Sequence, residues 1–127
     1  MSKRVVKTDS APEAIGPYSQ GVVSTGNLLF TSGQIPIDPA TGKLIEGTIE
    51  DKAHRAFKNL SAIAQAAGTT LDRAVKTTVF LADINNFKAV NSVYAQYFKE
   101  PFPARSAFQA AALPLGADIE VEAIFEI

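Results

Sequence analysis

The stretch Asp118 to Ile127 constrains the fold more than any other. Ile119, Val121, Ala123, Phe125 and Ile127 alternate with Asp118, Glu120, Glu122 and Glu126, and a period of two marks a strand with one face in a core. Its other face is acidic. Such a strand needs neighbours in a sheet and a second layer over its apolar side. Helices supply that layer. Thr48 with Asp51 three residues later resembles a capping box, with aspartate in place of the usual glutamate. Ile49, Ala53, Ala56, Phe57, Leu60, Ile63, Ala64 and Ala67 then recur at three and four until Gly68 supplies the stop. A second helix from about Asn86 turns Phe87, Val90, Tyr94, Tyr97 and Phe98 to its buried side.

The remaining strands follow from breakers and alternation. Lys3 to Thr8 alternates weakly and reads as a short edge strand. Pro12, Gly16 and Pro17 break regularity, and Gln20 to Ser24 and Leu28 to Ser32 read as strands joined by a hairpin turn at Gly26-Asn27. Gly33 to Gly47 contains two prolines and three glycines with little periodicity, so it is expected as a surface loop. Ala74 to Leu81 is nearly all β-branched or apolar and fits a central strand buried on both faces. Pro101 and Pro103 bar helix on the approach to a strand beginning near Ala104. There Arg105, Ala107 and Gln109 share one face, and Ser106, Phe108 and Ala110 the other. Leu113-Pro114-Leu115-Gly116 makes a tight connection. A simple hairpin centred on Leu113 would set Arg105 opposite Glu120 on one face; a mixed sheet leaves other routes open.

This order predicts an α+β domain over residues 1–127, a mixed six-stranded sheet with two helices on one face. The other face is left uncovered. Covering it with copies of the same chain makes a homo-oligomer the economical solution.

Composition narrows function by exclusion. No apolar run reaches the roughly 18 residues needed to span a bilayer, and Met1 to Asp9 carries bases without an apolar signal region, so a cytoplasmic location is expected, with an organelle reached by another route left open. A net charge of −1 without a cluster of Lys and Arg argues against nucleic acid as the main partner. Zero cysteines exclude disulfides, cysteine nucleophiles and thiolate metal sites, and a single histidine excludes a multi-histidine metal centre. That residue, His54, sits beside Lys52, Arg55 and Lys58, off the apolar stripe, and is expected as a solvated surface histidine.

Two positions remain chemically interesting. Arg105, among small or polar neighbours on its strand face, is either an arginine paired with an acid for structural reasons or one presented to a cavity. Asn91 falls four residues after Phe87 and three before Tyr94, inside the apolar stripe, where an unpaired amide costs about 1–3 kcal/mol. An asparagine bonded to strand-end backbone and a site residue both satisfy that requirement.

The segments Ala14-Ile15-Gly16-Pro17-Tyr18-Ser19-Gln20, Thr31-Ser32-Gly33-Gln34-Ile35-Pro36, Val75-Lys76-Thr77-Thr78-Val79-Phe80, Val90-Asn91, Phe102-Pro103-Ala104-Arg105-Ser106 and Ile119-Glu120-Val121-Glu122-Ala123-Ile124 resemble, in order and over essentially the whole chain, the RidA or YjgF family of reactive-intermediate deaminases. The arginine after Pro-Ala is the mark of the deaminase branch. The resemblance implies a chorismate-mutase-like fold, a homotrimer with sites between subunits, and hydrolysis of 2-imino acids such as 2-iminobutanoate and 2-iminopropanoate to 2-oxo acids and ammonia, with neither metal nor organic cofactor. It also implies that Arg105 binds the substrate carboxylate, that Glu120 is the acid near the reacting carbon, and that Tyr18, Ser32 and Asn91 line the pocket. A planar guanidinium grips a carboxylate through two parallel hydrogen bonds, which lysine cannot reproduce. A shielded carboxylate can place water and move protons.

The chain departs from the family at Ala107, where cysteine is usual. A role carried by backbone N–H and C=O survives the exchange; a role for the thiol does not. Two other functions compete: an endoribonuclease or translation inhibitor, and a non-catalytic trimer that binds a 2-oxo acid or acts as a chaperone.

Overall fold

The structure is a computed structural model that describes residues 3–127. In chain order it contains β1 (Arg4–Val6), β2 (Gly21–Val23), β3 (Leu28–Phe30), β4 (Ile37–Asp38), β5 (Lys43–Leu44), α1 (Ile49–Ala66), β6 (Ala74–Leu81), α2 (Phe87–Tyr97), β7 (Ala104–Gln109) and β8 (Ile119–Glu126). The main sheet has the order β3-β8-β6-β7 and is mixed: β8 runs antiparallel to β3 and β6, whereas β7 runs parallel to β6. The expected α+β architecture with two helices and a mixed sheet is present.

α1 begins where the capping box placed it. Thr48 Oγ1 accepts from the Asp51 N–H and Asp51 Oδ2 accepts from the Thr48 N–H, both at 3.1 Å. Gly68, at φ +83°, follows the helix end in a conformation that side chains resist. Ala53, Ala56, Phe57, Leu60 and Ala64 of α1 pack with Val90, Val93, Tyr94 and Phe98 against Val79, Leu81, Ile119, Val121, Ala123 and Phe125 of the sheet. Each large side chain so buried contributes about 1.5–3 kcal/mol. This core fixes which face of every strand looks at the helices.

Three expectations need correction. β2 and β3 do not form a hairpin: β2 pairs with β1, and β3 pairs with β8. The groups around the expected turn are taken by β8 instead, since the Asn27 carbonyl accepts from Ile127 N–H and the Ser24 hydroxyl bonds the Glu126 carboxylate. The six-strand sheet thus separates, among the described residues, into a four-stranded sheet, the β1-β2 ribbon and a small β4-β5 hairpin. That hairpin lies inside the Gly33–Gly47 loop. It turns on Asp38 Oδ1, which accepts from Ala40 N–H at 2.8 Å, and on Gly42 at φ +72°.

The third correction concerns β7 and β8. They flank β6 on opposite sides and do not pair: β8 runs antiparallel to β6 between it and β3, and β7 takes the other edge of β6 in parallel. Arg105 therefore registers with Thr77, and Glu120 with Phe80. Thr77 is buried against the helices; Phe80 is on the opposite face. Arg105 and Glu120 consequently occupy opposite faces of one sheet. β6 is central, as expected, but its burial alternates: Lys76, Thr78 and Phe80 on the face away from the helices are only half-buried.

Candidate active site

Arg105 leaves β7 toward α2 and enters a pocket of about 290 Å³ lined by Ile15, Gly16, Tyr18, Phe87, Asn91, Arg105 and Ala107. Helical spacing explains the wall that receives it. Phe87, Asn91 and Tyr94 lie at i, i+4 and i+7, so one stripe of α2 offers two rings and an amide. Arg105 Nη1 donates to Asn91 Oδ1 at 2.6 Å. The guanidinium carbon lies 4.7 Å from the Tyr94 ring centroid, 5.4 Å from that of Tyr18 and 5.5 Å from that of Phe87, distances at which cations are attracted to ring faces.

Tyr18 reaches the pocket from an irregular loop that is tied to the start of β7. Ser19 N–H donates to Pro103 O at 2.9 Å, Ser19 Oγ donates to Phe102 O at 2.5 Å, and Ser19 bridges Ala104. The Tyr18 hydroxyl accepts from Ile15 N–H at 3.3 Å. The loop runs close to the arginine at Gly16, where a Cβ would lie in ordinary contact, 3.6 Å from Arg105 Nη2 and from the Tyr18 ring.

Among the described residues Arg105 has no acidic partner. The ion pair found among the described residues is Lys52–Asp118, at 2.6 Å, and the hydrogen bond found for the guanidinium goes to a neutral amide. Burial lowers its pKa from the ordinary value, opposed by Tyr94 and Tyr18, yet an arginine so perturbed stays charged. Among the described residues the guanidinium is half-buried, bonded to one neutral amide and paired with no carboxylate, which leaves N–H donors able to take an anion. The structural ion pair weighed for Arg105 is thus replaced by a bond to Asn91, and Asn91 holds the arginine rather than strand-end backbone.

Glu120 and Ser32 belong to a second cluster. Gln34 exchanges backbone hydrogen bonds with Val121, 2.7 Å from Gln34 N and 3.0 Å from Val121 N, which lays residues 31–34 along β8. Thr31 continues the ladder through its hydroxyl, which accepts from Ala123 N–H at 3.0 Å. Gly33 lets the Glu120 carboxylate lie against this segment: a Cβ would fall 2.3 Å from Glu120 Oε2 and 2.7 Å from its Cδ, so the carboxylate would have to move. Ser32 is exposed beside it, and Glu120 is half-buried.

One chain therefore brings Tyr18, Asn91, Arg105 and Ala107 together, and separately Ser32 and Glu120. Phe87 and Tyr94 were placed on the buried stripe by their spacing, but nothing in that pattern told that they face a guanidinium. Gly33 escaped as well, since only the register of residues 31–34 on β8 brings it to Glu120. His54 differs from expectation: it is half-buried, with Nδ1 2.7 Å from the Tyr97 hydroxyl. Among the described residues no group of three or more His, Cys, Asp or Glu could hold a metal ion, and no helix is long and apolar enough to cross a membrane.

The family described as endoribonuclease L-PSP matches residues 8–127. A human protein named 2-iminobutanoate/2-iminopropanoate deaminase is 52% identical over 122 residues, which is 96% of this chain and 88% of that one. Among solved structures, a member of the conserved Rid protein family from Yersinia pestis is 50% identical with a TM-score of 0.77, covering 99% of this chain and 100% of its own. TdcF of E. coli with bound serine is 40% identical with a TM-score of 0.75, covering 98% of both chains.

Proposed function

The chain belongs to the RidA/YjgF family, and from that premise we propose that it is a 2-iminobutanoate/2-iminopropanoate deaminase, hydrolysing short 2-imino acids to 2-oxo acids and ammonia. The observation that carries this reading is the guanidinium of Arg105, half-buried, bonded to the Asn91 amide and lacking an acidic partner among the described residues. A 2-imino acid brings the missing carboxylate.

Arg105 holds that carboxylate through two N–H donors and so fixes the imine carbon. Water adds to this carbon as the C=N electron pair moves to nitrogen, which takes up a proton. The resulting carbinolamine expels ammonia and leaves the 2-oxo acid. Glu120 orients the water, accepts its proton and returns one to the departing nitrogen. These steps need no electron transfer, and no cofactor is assigned. Tyr18, Ser32, Asn91 and Ala107 shape the pocket, Ala107 through its backbone.

Arg105 and Glu120 of one chain face opposite sides of the sheet, so the reaction needs Glu120 from another copy. We assign a homotrimer in which residues 1–127 act as one domain, the helix-free faces meet, and each Arg105 pocket is closed by the Ser32–Glu120 cluster of a neighbour. The expected location is the cytoplasm. A ribonuclease reading finds less support, with a net charge of −1 and the one histidine engaged by Tyr97.

Coupling the protein to a threonine dehydratase, with semicarbazide competing for the imine, tests the proposal. Wild type should speed 2-oxobutanoate release. Arg105→Ala should lose at least about 100-fold, the scale of about 3 kcal/mol for a charge-assisted pair. An unaccelerated wild-type reaction would sink the deaminase reading.

A further inference from the structure

We infer that Tyr94, held by Thr77, is a positioning residue for the Arg105 guanidinium: its ring is the floor on which the guanidinium rests, and its hydroxyl fixes that floor to β6. This rests on the reading of Arg105 as a carboxylate clamp and adds the part that sets where the clamp sits.

Of the three rings around Arg105, Tyr94 is nearest, at 4.7 Å, and it is fully buried, whereas Tyr18 and Phe87 are half-buried. Its ring is clamped by Phe98, stacked at 4.4 Å between centroids, and by Phe57, edge-on at 5.7 Å. The remaining freedom is its tilt and height above the sheet. The hydroxyl removes it, lying 2.7 Å from Thr77 Oγ1 inside the core. Thr77 is also the register partner of Arg105 across the β6-β7 ladder. Strand, helix and strand thus form a closed triangle: β6 positions Tyr94 on α2, and Tyr94 supports the arginine of β7.

Packing alone does not ask for this pair. Replacing two bonded buried hydroxyls with apolar groups of the same shape is often close to neutral for stability, so Phe and Val would serve a core equally well. The hydroxyl pair adds direction, which dispersion contacts lack. The ring must also remain uncharged, since a phenolate would compete with the substrate carboxylate for the guanidinium. An ordinary tyrosine is already neutral at about pH 7, and burial widens that margin by pushing the Tyr94 pKa up to about 12, against the smaller opposing effects of Thr77 and Arg105.

The test uses 2-oxobutanoate as probe, titrated calorimetrically into the assembled protein, with the coupled imine assay alongside. Tyr94→Phe keeps the ring and loses the hydroxyl; Thr77→Val loses the same bond without touching the ring. Each should weaken Kd about threefold to tenfold with full binding stoichiometry, on the scale of one hydrogen bond. The double variant should be no worse than either single one, the coupling expected of one shared contact. Tyr94→Leu, which removes the ring face, should weaken Kd by more.

A residue that only stabilises the fold would lower the number of binding sites and leave Kd alone. Kd within twofold of wild type in both Tyr94→Phe and Thr77→Val, with binding lost in Arg105→Ala, would overturn the positioning role and leave the clamp standing. Undiminished binding in Arg105→Ala, or none in wild type, would overturn the clamp and the positioning role together. Should Tyr94→Leu fail to assemble, Thr77→Val decides.

Discussion

The two faces of the main sheet are finished to different degrees. On the helix side, Arg105 is bonded to Asn91 and bracketed by Tyr18, Phe87 and Tyr94. On the other side, Glu120 shares a half-buried face with Lys76, Thr78, Phe80 and Ile124 and with the exposed Phe108 and Phe30, and no hydrogen bond to its carboxylate is found among the described residues. A single chain holds the arginine among partners and leaves the glutamate without one among the described residues. The difference teaches that folding alone orients the arginine, whereas on the proposed reading the glutamate finds its role only on assembly.

The severest challenge to that contrast is Phe108→Glu. Phe108 is 47% exposed and stands edge-on to Phe80, so a single chain should still fold, but closing the face would bury an unpaired carboxylate at a cost of several kcal/mol. Light scattering should report single chains, and turnover should fall about 100-fold or more. A variant active as a monomer would break the division between the faces.

Gly33→Ala probes the acid side alone. The added Cβ would displace the Glu120 carboxylate from its position beside residues 31–34. The expected result is a fall in kcat of about tenfold, comparable to Glu120→Gln, with little change in KM. Normal kcat would mean that the place of the carboxylate does not matter.

Asn91→Asp acts on the anion side alone. It preserves shape but sets a carboxylate 2.6 Å from Arg105 Nη1, so the guanidinium gains an internal partner that competes with substrate. KM should rise about tenfold, more than for Asn91→Ala. The smallest effect is expected at Ala107→Cys, a change of about twofold or less if that position serves through its backbone. A larger change would show that the pocket reads the side chain there.

Much of the fold was legible because it follows local rules. The Thr48–Asp51 cap, the 49–67 stripe, the Ala74–Leu81 strand and the Asp118–Ile127 alternation each carry their signal within a few residues. The same holds for Asn91, whose place within an apolar stripe announced that it needed a partner. The partner itself was not legible, and neither were the pairing of β3 with β8 nor the separation of β7 from β8. These depend on which distant strand competes best for a set of hydrogen-bonding groups, and the Asn27 carbonyl and the Ser24 hydroxyl were claimed by the end of the chain at Ile127 and Glu126.

By itself, the sequence determined the helices and the longer strands, their apolar faces, and the residue types able to bind a carboxylate and move a proton, because periodicity and side-chain chemistry are properties of the chain. Only the tertiary structure decided that Arg105 and Glu120 lie on opposite faces. A period of two tells which neighbours share a face within a strand, but the face that two strands have in common is set by their register on β6.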